Sequence, residues 1–229
     1  MLTWTGAAAA TVTMATVPVG NAGNADDPSM NGPAGSAWPG ANLAMGGVDY
    51  EFEMGKFEVS NLQYVEFLNA VASVEDTYGL YSAQMAPGAS YVIGTSIFVT
   101  GIVQSGAPGS FSYSVPAGYE GLPVNYIDYG DAIRFANWMH NGQPVGGQDA
   151  GTTEDGSYFI NGITSWTEFY TITRKPGATW VIPTGDEWYK AGHHRNNGVT
   201  GDYYRFATGS DTAPIGEMAP GGVNSANYQ

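Results

Sequence analysis

Apolar and polar residues alternate from Val48 to Met54, with Val48, Tyr50, Phe52 and Met54 on one side and Asp49, Glu51 and Glu53 on the other. A period of two predicts a half-buried strand. Gly55-Lys56 turns the chain and Phe57-Glu58-Val59 continues it. The period then changes. Tyr64, Phe67, Leu68 and Val71 fall at i, i+3, i+4 and i+7, the apolar stripe of a helix. Ser60 stands three residues before Gln63, the spacing of a capping box. A second helix follows Asp128 as N-cap, with Ala132, Phe135, Ala136 and Met139 on one face and Asn141-Gly142 as its stop. Further on, Trp180, Val181 and Ile182 predict the end of a buried strand that Pro183 stops. Thr184 and Glu187 have capping-box spacing, so a helix is predicted from Gly185 to about Gly192, with Trp188 and Ala191 marking its buried face.

The remaining segments carry weaker patterns. Thr11 to Val19 alternates loosely and predicts the first strand. Asn21 to Ala44 is rich in Gly, Pro, Asn, Asp and Ser and reads as a long surface loop, with Asp26 and Asp27 solvated rather than cation-binding. Tyr91–Val103 and Phe111–Val115 are β-prone and predict a hairpin or two irregular strands. In the segment Gly146 to Arg174, Ser157–Ile160 and Ile163–Ser165 flank Asn161-Gly162, a two-residue hairpin signal. Thr152 to Gly156 is acidic and turn-like but lacks the spacing of an EF-hand loop. His193 and His194 are adjacent and cannot share one helix face. They read as helix-end partners of exposed carbonyls.

Composition narrows the class. At 229 residues the chain is one domain or a large part of one, and 43% hydrophobic residues supply a sizeable core. The 33 Gly and 13 Pro point to much irregular structure. The net charge is −14, from 21 acidic and seven basic residues, and the basic ones form no run. That excludes a phosphate-neutralising nucleic-acid binder and attraction to an anionic membrane surface. No apolar run approaches the ~20 residues of a membrane span. With no cysteine, these residues hold no disulfide, thiolate metal site or cysteine nucleophile. Residues 1–10 end in four alanines, and no Lys or Arg precedes Lys56. They read as a signal-peptide remnant or as a disordered N-terminus.

Three segments resemble the formylglycine-generating enzyme (sulfatase-modifying factor) family, in the family's order. Pro183, Thr184, Glu187, Trp188 and Ala191 match its Leu-Pro-Thr-Glu-x-Glu-Trp-Glu-x-Ala stretch, while Ile182 and Gly185 depart from it. Glu58, Val59, Ser60, Asn61, Tyr64 and Phe67 match its opening signature. Pro123, Val124, Asp131, Ala132, Phe135 and Trp138 match its middle one. Tyr204 to Pro214 is similar to an aromatic segment of bacterial members, without their usual Trp-Gly. The resemblance implies an irregular α+β fold related to the C-type lectin-like fold, with short helices, small antiparallel sheets and much loop. It makes residues 11–229 a partial domain with an insertion at 146–174 and the C-terminal part missing.

Active members of that family oxidise a sulfatase cysteine to formylglycine with copper and molecular oxygen, through two cysteines near the domain's C-terminal end. No residue here takes over that role, so the resemblance implies no catalytic and no cofactor-binding residue in this chain. The favoured expectation is a non-catalytic binding or assembly module, secreted or at the cell surface or periplasm, with an extracellular protein or glycan as partner. The alternative is the N-terminal part of a copper-dependent oxidase acting on a sulfatase peptide, with copper bound only if cysteines follow Gln229. An iron-dependent sulfoxide synthase is disfavoured, because His140, His193 and His194 are the only histidines. Asn227 matches the start of a calcium-binding stretch in the family. One amide oxygen falls short of the six to eight oxygens calcium takes, so weak or no calcium binding is expected of this chain alone.

Overall fold

The structure, a computed structural model, describes residues 11–28, 44–87, 91–93, 96–98, 100–216 and 222–226. Its strands are β1 (Thr16–Val19), β2 (Phe52–Gly55), β3 (Tyr91–Ile93), β4 (Ser96–Phe98), β5 (Val103–Ser105), β6 (Ser112–Ser114), β7 (Ile215–Gly216) and β8 (Ser225–Ala226). Its helices are α1 (Asn61–Val71), α2 (Tyr129–His140), α3 (Trp166–Phe169) and α4 (Gly185–His193), with a 3-10 turn at Ala83–Met85. The strands pair in sequence order as two-stranded ribbons, antiparallel except for β7 with β8. This is the irregular α+β fold expected from the sequence. The two β-prone segments become two hairpins, β3–β4 and β5–β6. The chain forms two compact units, Met1–Met14 with Phe57–Ile182 and Ala15–Lys56 with Pro183–Gln229.

In the first unit, α1 starts at the capping box read from the sequence. Ser60 accepts from the Gln63 N–H and the Gln63 side chain accepts from the Ser60 N–H. Its stripe is buried, with Phe67 and Leu68 fully enclosed. Phe67 packs on Trp138 at 5.3 Å between ring centroids and edge-on to Phe135 at 5.4 Å. Each such side chain contributes about 1.5–3 kcal/mol by leaving water. The two buried polar tips find carbonyls: the Tyr64 hydroxyl donates to Leu80 at 2.9 Å and the Trp138 indole to Pro144 at 2.9 Å. Helix α2 ends as predicted. Gly142, at φ 80°, donates to Met139 and Gln143 donates to Trp138, which satisfies the last carbonyls.

The start of α2 is a second capping box, between Asp128 and Asp131. Asp131 is buried, and that desolvation pushes its carboxyl up to about 7. The charges of Asp128 and Asp76 add to the shift, while the hydrogen bond from Asp128 and the charge of Arg134 oppose it.

Arg134, Asn137 and Asn141 lie at i, i+3 and i+7 and form a polar stripe along α2. Each binds the segment 149–163. The Arg134 guanidinium donates to both Glu154 carboxylate oxygens, at 2.7 and 3.1 Å, and to the Ile163 carbonyl at 2.8 Å. The two side chains are 3% and 5% exposed. Glu154 also accepts from the Thr153 hydroxyl at 3.0 Å and the Gly162 N–H at 2.8 Å. Asn137 donates to the carbonyls of Thr153 and Tyr158 and accepts the Tyr158 N–H, and Asn141 donates to the carbonyls of Thr152 and Asp155. The Asn161-Gly162 turn forms, with φ of 49° and 81°, but its flanks do not pair as a hairpin. The reason is competition. The N–H groups of Ile160 and Asn161 donate to the Glu154 carbonyl, and the α2 stripe binds the Tyr158 backbone. Ile133, Tyr158, Ile160 and Phe169 close a second small core here.

Trp180 to Ile182 form no strand. The Ile182 N–H donates to the Tyr158 hydroxyl at 2.9 Å and its carbonyl accepts from Arg174, so side chains take the groups a ladder would use.

In the second unit, β1 and β2 are shorter than the alternation suggested. Val48 lies outside the ladder because its N–H donates to the Asn24 side chain and its carbonyl accepts from Gly23. Helix α4 has the expected Thr184–Glu187 capping box, but its buried face is different. Trp188 is 61% exposed and Ala191 is exposed, while Glu187, Tyr189 and Lys190 are buried. Polar partners pull that side in. The Tyr50 hydroxyl donates to Glu187 at 2.6 Å, the Tyr189 hydroxyl to Asp27 at 2.6 Å, and the Lys190 ammonium to the Asn21 carbonyl at 3.0 Å. Asp27 is therefore a buried acceptor, not a solvated loop acid.

Two predictions follow from the first unit. Arg134→Met leaves the Glu154 carboxylate buried and unpaired, and we expect a loss of about 3–5 kcal/mol in urea unfolding, much of it regained in the Arg134→Met/Glu154→Leu double variant. Asp131 binds its proton more tightly folded than unfolded. Its contribution to stability is complete below pH ~4, the ordinary carboxyl range, and is lost as pH rises through about 7. Asp131→Asn, compared with the parent by thermal unfolding, gains relative stability between pH 5 and pH 8 on this account. Parallel pH profiles of the two proteins would refute it.

Candidate functional site

Just after the segment that the α2 stripe holds, the chain forms a small aromatic cleft with the start of α2. Helix α3 begins after Ser165, and the i, i+4 spacing puts Trp166 and Tyr170 on one side of it. Phe169, three residues after Trp166, is buried in the second core and also faces the cleft. The Ile172 N–H donates to the Phe169 carbonyl at 3.2 Å, and this turn brings Ile172 back to the cleft. Tyr129, on the first turn of α2, meets Phe169 edge-on at 6.2 Å and 79°. The neighbouring Gly130 allows this approach, since a Cβ there would lie 2.6 Å from the Phe169 ring. Together Tyr129, Trp166, Phe169, Tyr170 and Ile172 line a cleft of about 270 Å³. Trp166 and Tyr170 stand edge to face across 5.9 Å, and they are 55% and 76% exposed.

The lining carries no ionisable carboxylate, amine, imidazole or thiol. Burial raises the Tyr129 phenol, against a smaller lowering by the Arg174 charge, so it remains protonated at neutral pH. Such walls offer aromatic faces, two phenol hydroxyls and an indole N–H. They suit a bound group, with phenols in place of carboxylate, amine, imidazole or thiol.

The residues singled out from the sequence lie elsewhere. Asn227 is outside the described residues. The Asp26 carboxylate accepts the Gly47 N–H at 2.7 Å, and Asp27 holds Tyr189. His140 is bonded to Thr179 at 2.7 Å. His193 donates to the Tyr204 carbonyl at 2.9 Å and His194 to the Thr200 carbonyl at 3.1 Å, so both bind carbonyls as expected, in the loop beyond the helix. Among the described residues no group of three or more His, Asp or Glu gathers to hold a metal. With no cysteine in the chain, the residues present do not fit a thiolate copper centre. Sequence reading passed over Trp166 and Tyr170. The available signal was an i, i+4 aromatic pair just after a Ser-x-x-Glu start at Ser165 and Glu168.

The signature segments serve as structure. Tyr64, Phe67, Phe135 and Trp138 are core, Ser60, Asp131, Thr184 and Glu187 are caps, and Asn61 donates to the Tyr119 carbonyl at 3.0 Å. No curated protein and no solved structure matches the chain. The model of the sulfatase-modifying factor enzyme 1-like domain matches it over residues 8–228. With that match spanning nearly the whole chain, the protein belongs to the sulfatase-modifying factor family.

Proposed function

We propose that this chain is a binding or assembly module built on the sulfatase-modifying-factor scaffold, acting at the cell exterior and performing no oxidation with its own residues. The aromatic cleft carries the reading. A soluble domain gains nothing in stability by holding a Trp and a Tyr this exposed in one concave patch, whereas a ligand-binding surface does. The absence of cysteine and the engagement of all three histidines support the non-catalytic part. The acidic, lysine-poor composition and the alanine run at residues 7–10 support the exterior location. A copper oxidase on this scaffold would need thiolates from outside these 229 residues.

The direct test is to incubate the purified chain with a cysteine-containing sulfatase peptide, copper and oxygen, and to read formylglycine by mass spectrometry. No aldehyde product is expected; its catalytic accumulation would overturn the proposal. The cleft aromatics should also be separable from stability. Trp166→Ala is expected to change unfolding free energy by less than about 0.5 kcal/mol, as surface substitutions do. Trp138→Ala, in the core, should cost about 3–5 kcal/mol.

A further inference from the structure

The cleft's shape and surroundings bear on what it holds. Its two aromatic pairs, Trp166 with Tyr170 and Tyr129 with Phe169, each meet at 79°. Walls at right angles enclose a rounded group better than a flat ring. A sugar ring would also need its hydroxyls hydrogen-bonded, and this lining offers it two phenols and one indole N–H. The π faces of Trp and Tyr attract cations, most strongly where water is displaced. The protein's net charge has the matching sign, with 21 acidic against seven basic residues, and the Arg174 charge felt at Tyr129 is the local exception. The acids nearest in sequence to the cleft aromatics are Asp128, beside Tyr129, and Glu168, within α3.

The basic side chains of this region are committed to other partners. Arg134 is held by Glu154 and lies over the Tyr78 ring at 4.0 Å, with its guanidinium 5.9 Å from the Phe169 centroid. Arg174 donates to the Ile182 carbonyl, and Lys175 pairs with Asp155 at 2.6 Å. From the crossed aromatic walls, the uncharged lining and the acidic net charge, we infer that the cleft binds a quaternary or methylated ammonium group, as an aromatic cage does. The inference rests on the binding-module reading and gives that module's ligand a chemical class.

The test compares choline with its uncharged isostere 3,3-dimethylbutan-1-ol, at constant ionic strength set with sodium chloride. Binding to the intact chain is followed by the NMR signal of the Trp166 indole N–H, assigned by its disappearance in Trp166→Phe. Choline is expected to shift that signal with millimolar affinity, at least about fivefold more tightly than the alcohol, the margin of a cation–π contact. Tyr170→Ala should weaken choline by a similar factor while leaving the remaining indole signals in place. Equal binding of the two compounds would overturn the ammonium assignment and leave the module reading intact. A Trp166 signal that neither compound shifts would also overturn the assignment. Formylglycine formation in the oxidase assay would instead bring down the module reading itself.

Discussion

The buried pair of Arg134 and Glu154 is the constraint on which the first unit depends. Taking two charges out of water costs several kcal/mol each, so the pair is tolerable only with good geometry and further hydrogen bonds. The geometry is good and most of the pair's polar atoms are hydrogen-bonded. The guanidinium meets the carboxylate in a two-pronged contact, its spare N–H reaches Ile163, and the carboxylate's remaining sites take Thr153 and Gly162. An apolar pair would bury as much surface, but it would not discriminate among positions of the loop. The ion pair does, because any slip leaves a charge uncompensated. The loop's path, and with it the placement of α3 and its aromatic residues, is thereby tied to one turn of α2.

The same strategy recurs in the second unit. The Glu187 carboxylate closes the capping box through one oxygen and receives the Tyr50 hydroxyl on the other. A group that starts a helix thus also fixes what the helix lies against. Asn24 acts similarly, giving its amide to Gly46 and Tyr203 and accepting from Val48. In a chain with 33 glycines and little sheet, side-chain bonds to loop backbone do the organising that ladders do elsewhere.

This division explains what could be read in advance. The capping boxes at Ser60 and Thr184 were legible because each is a contract between residues three apart, while at Asp128 only the N-cap was read and the reciprocal bond with Asp131 was not. The α1 stripe was legible because its period is local. Trp188 misled because apolar residues normally define a helix's buried face, and here Tyr189 and Lys190 are drawn in by Asp27 and Asn21, more than 160 residues away in sequence. The strand expected at Trp180–Ile182 failed for the same reason, since Tyr158 and Arg174 claim its backbone. The cleft was invisible as a cleft. It requires Tyr129 on α2 to face the aromatics of α3, and that long-range placement is held by the polar stripe of α2 and the second core.

The burial of Lys190 and Arg134 also bears on durability. Trypsin-like proteases cut after lysine and arginine, and seven such residues are present. Arg134 and Lys190 are enclosed within helices, and Lys175 is followed by Pro176, a poor bond for such enzymes. Four sites are left: Lys56, Arg174, Arg195 and Arg205. Cutting at the enclosed ones requires the helix to open first, so folding itself shields them. Trypsin-type attack on the native protein is thereby directed to four bonds that lie outside the helices.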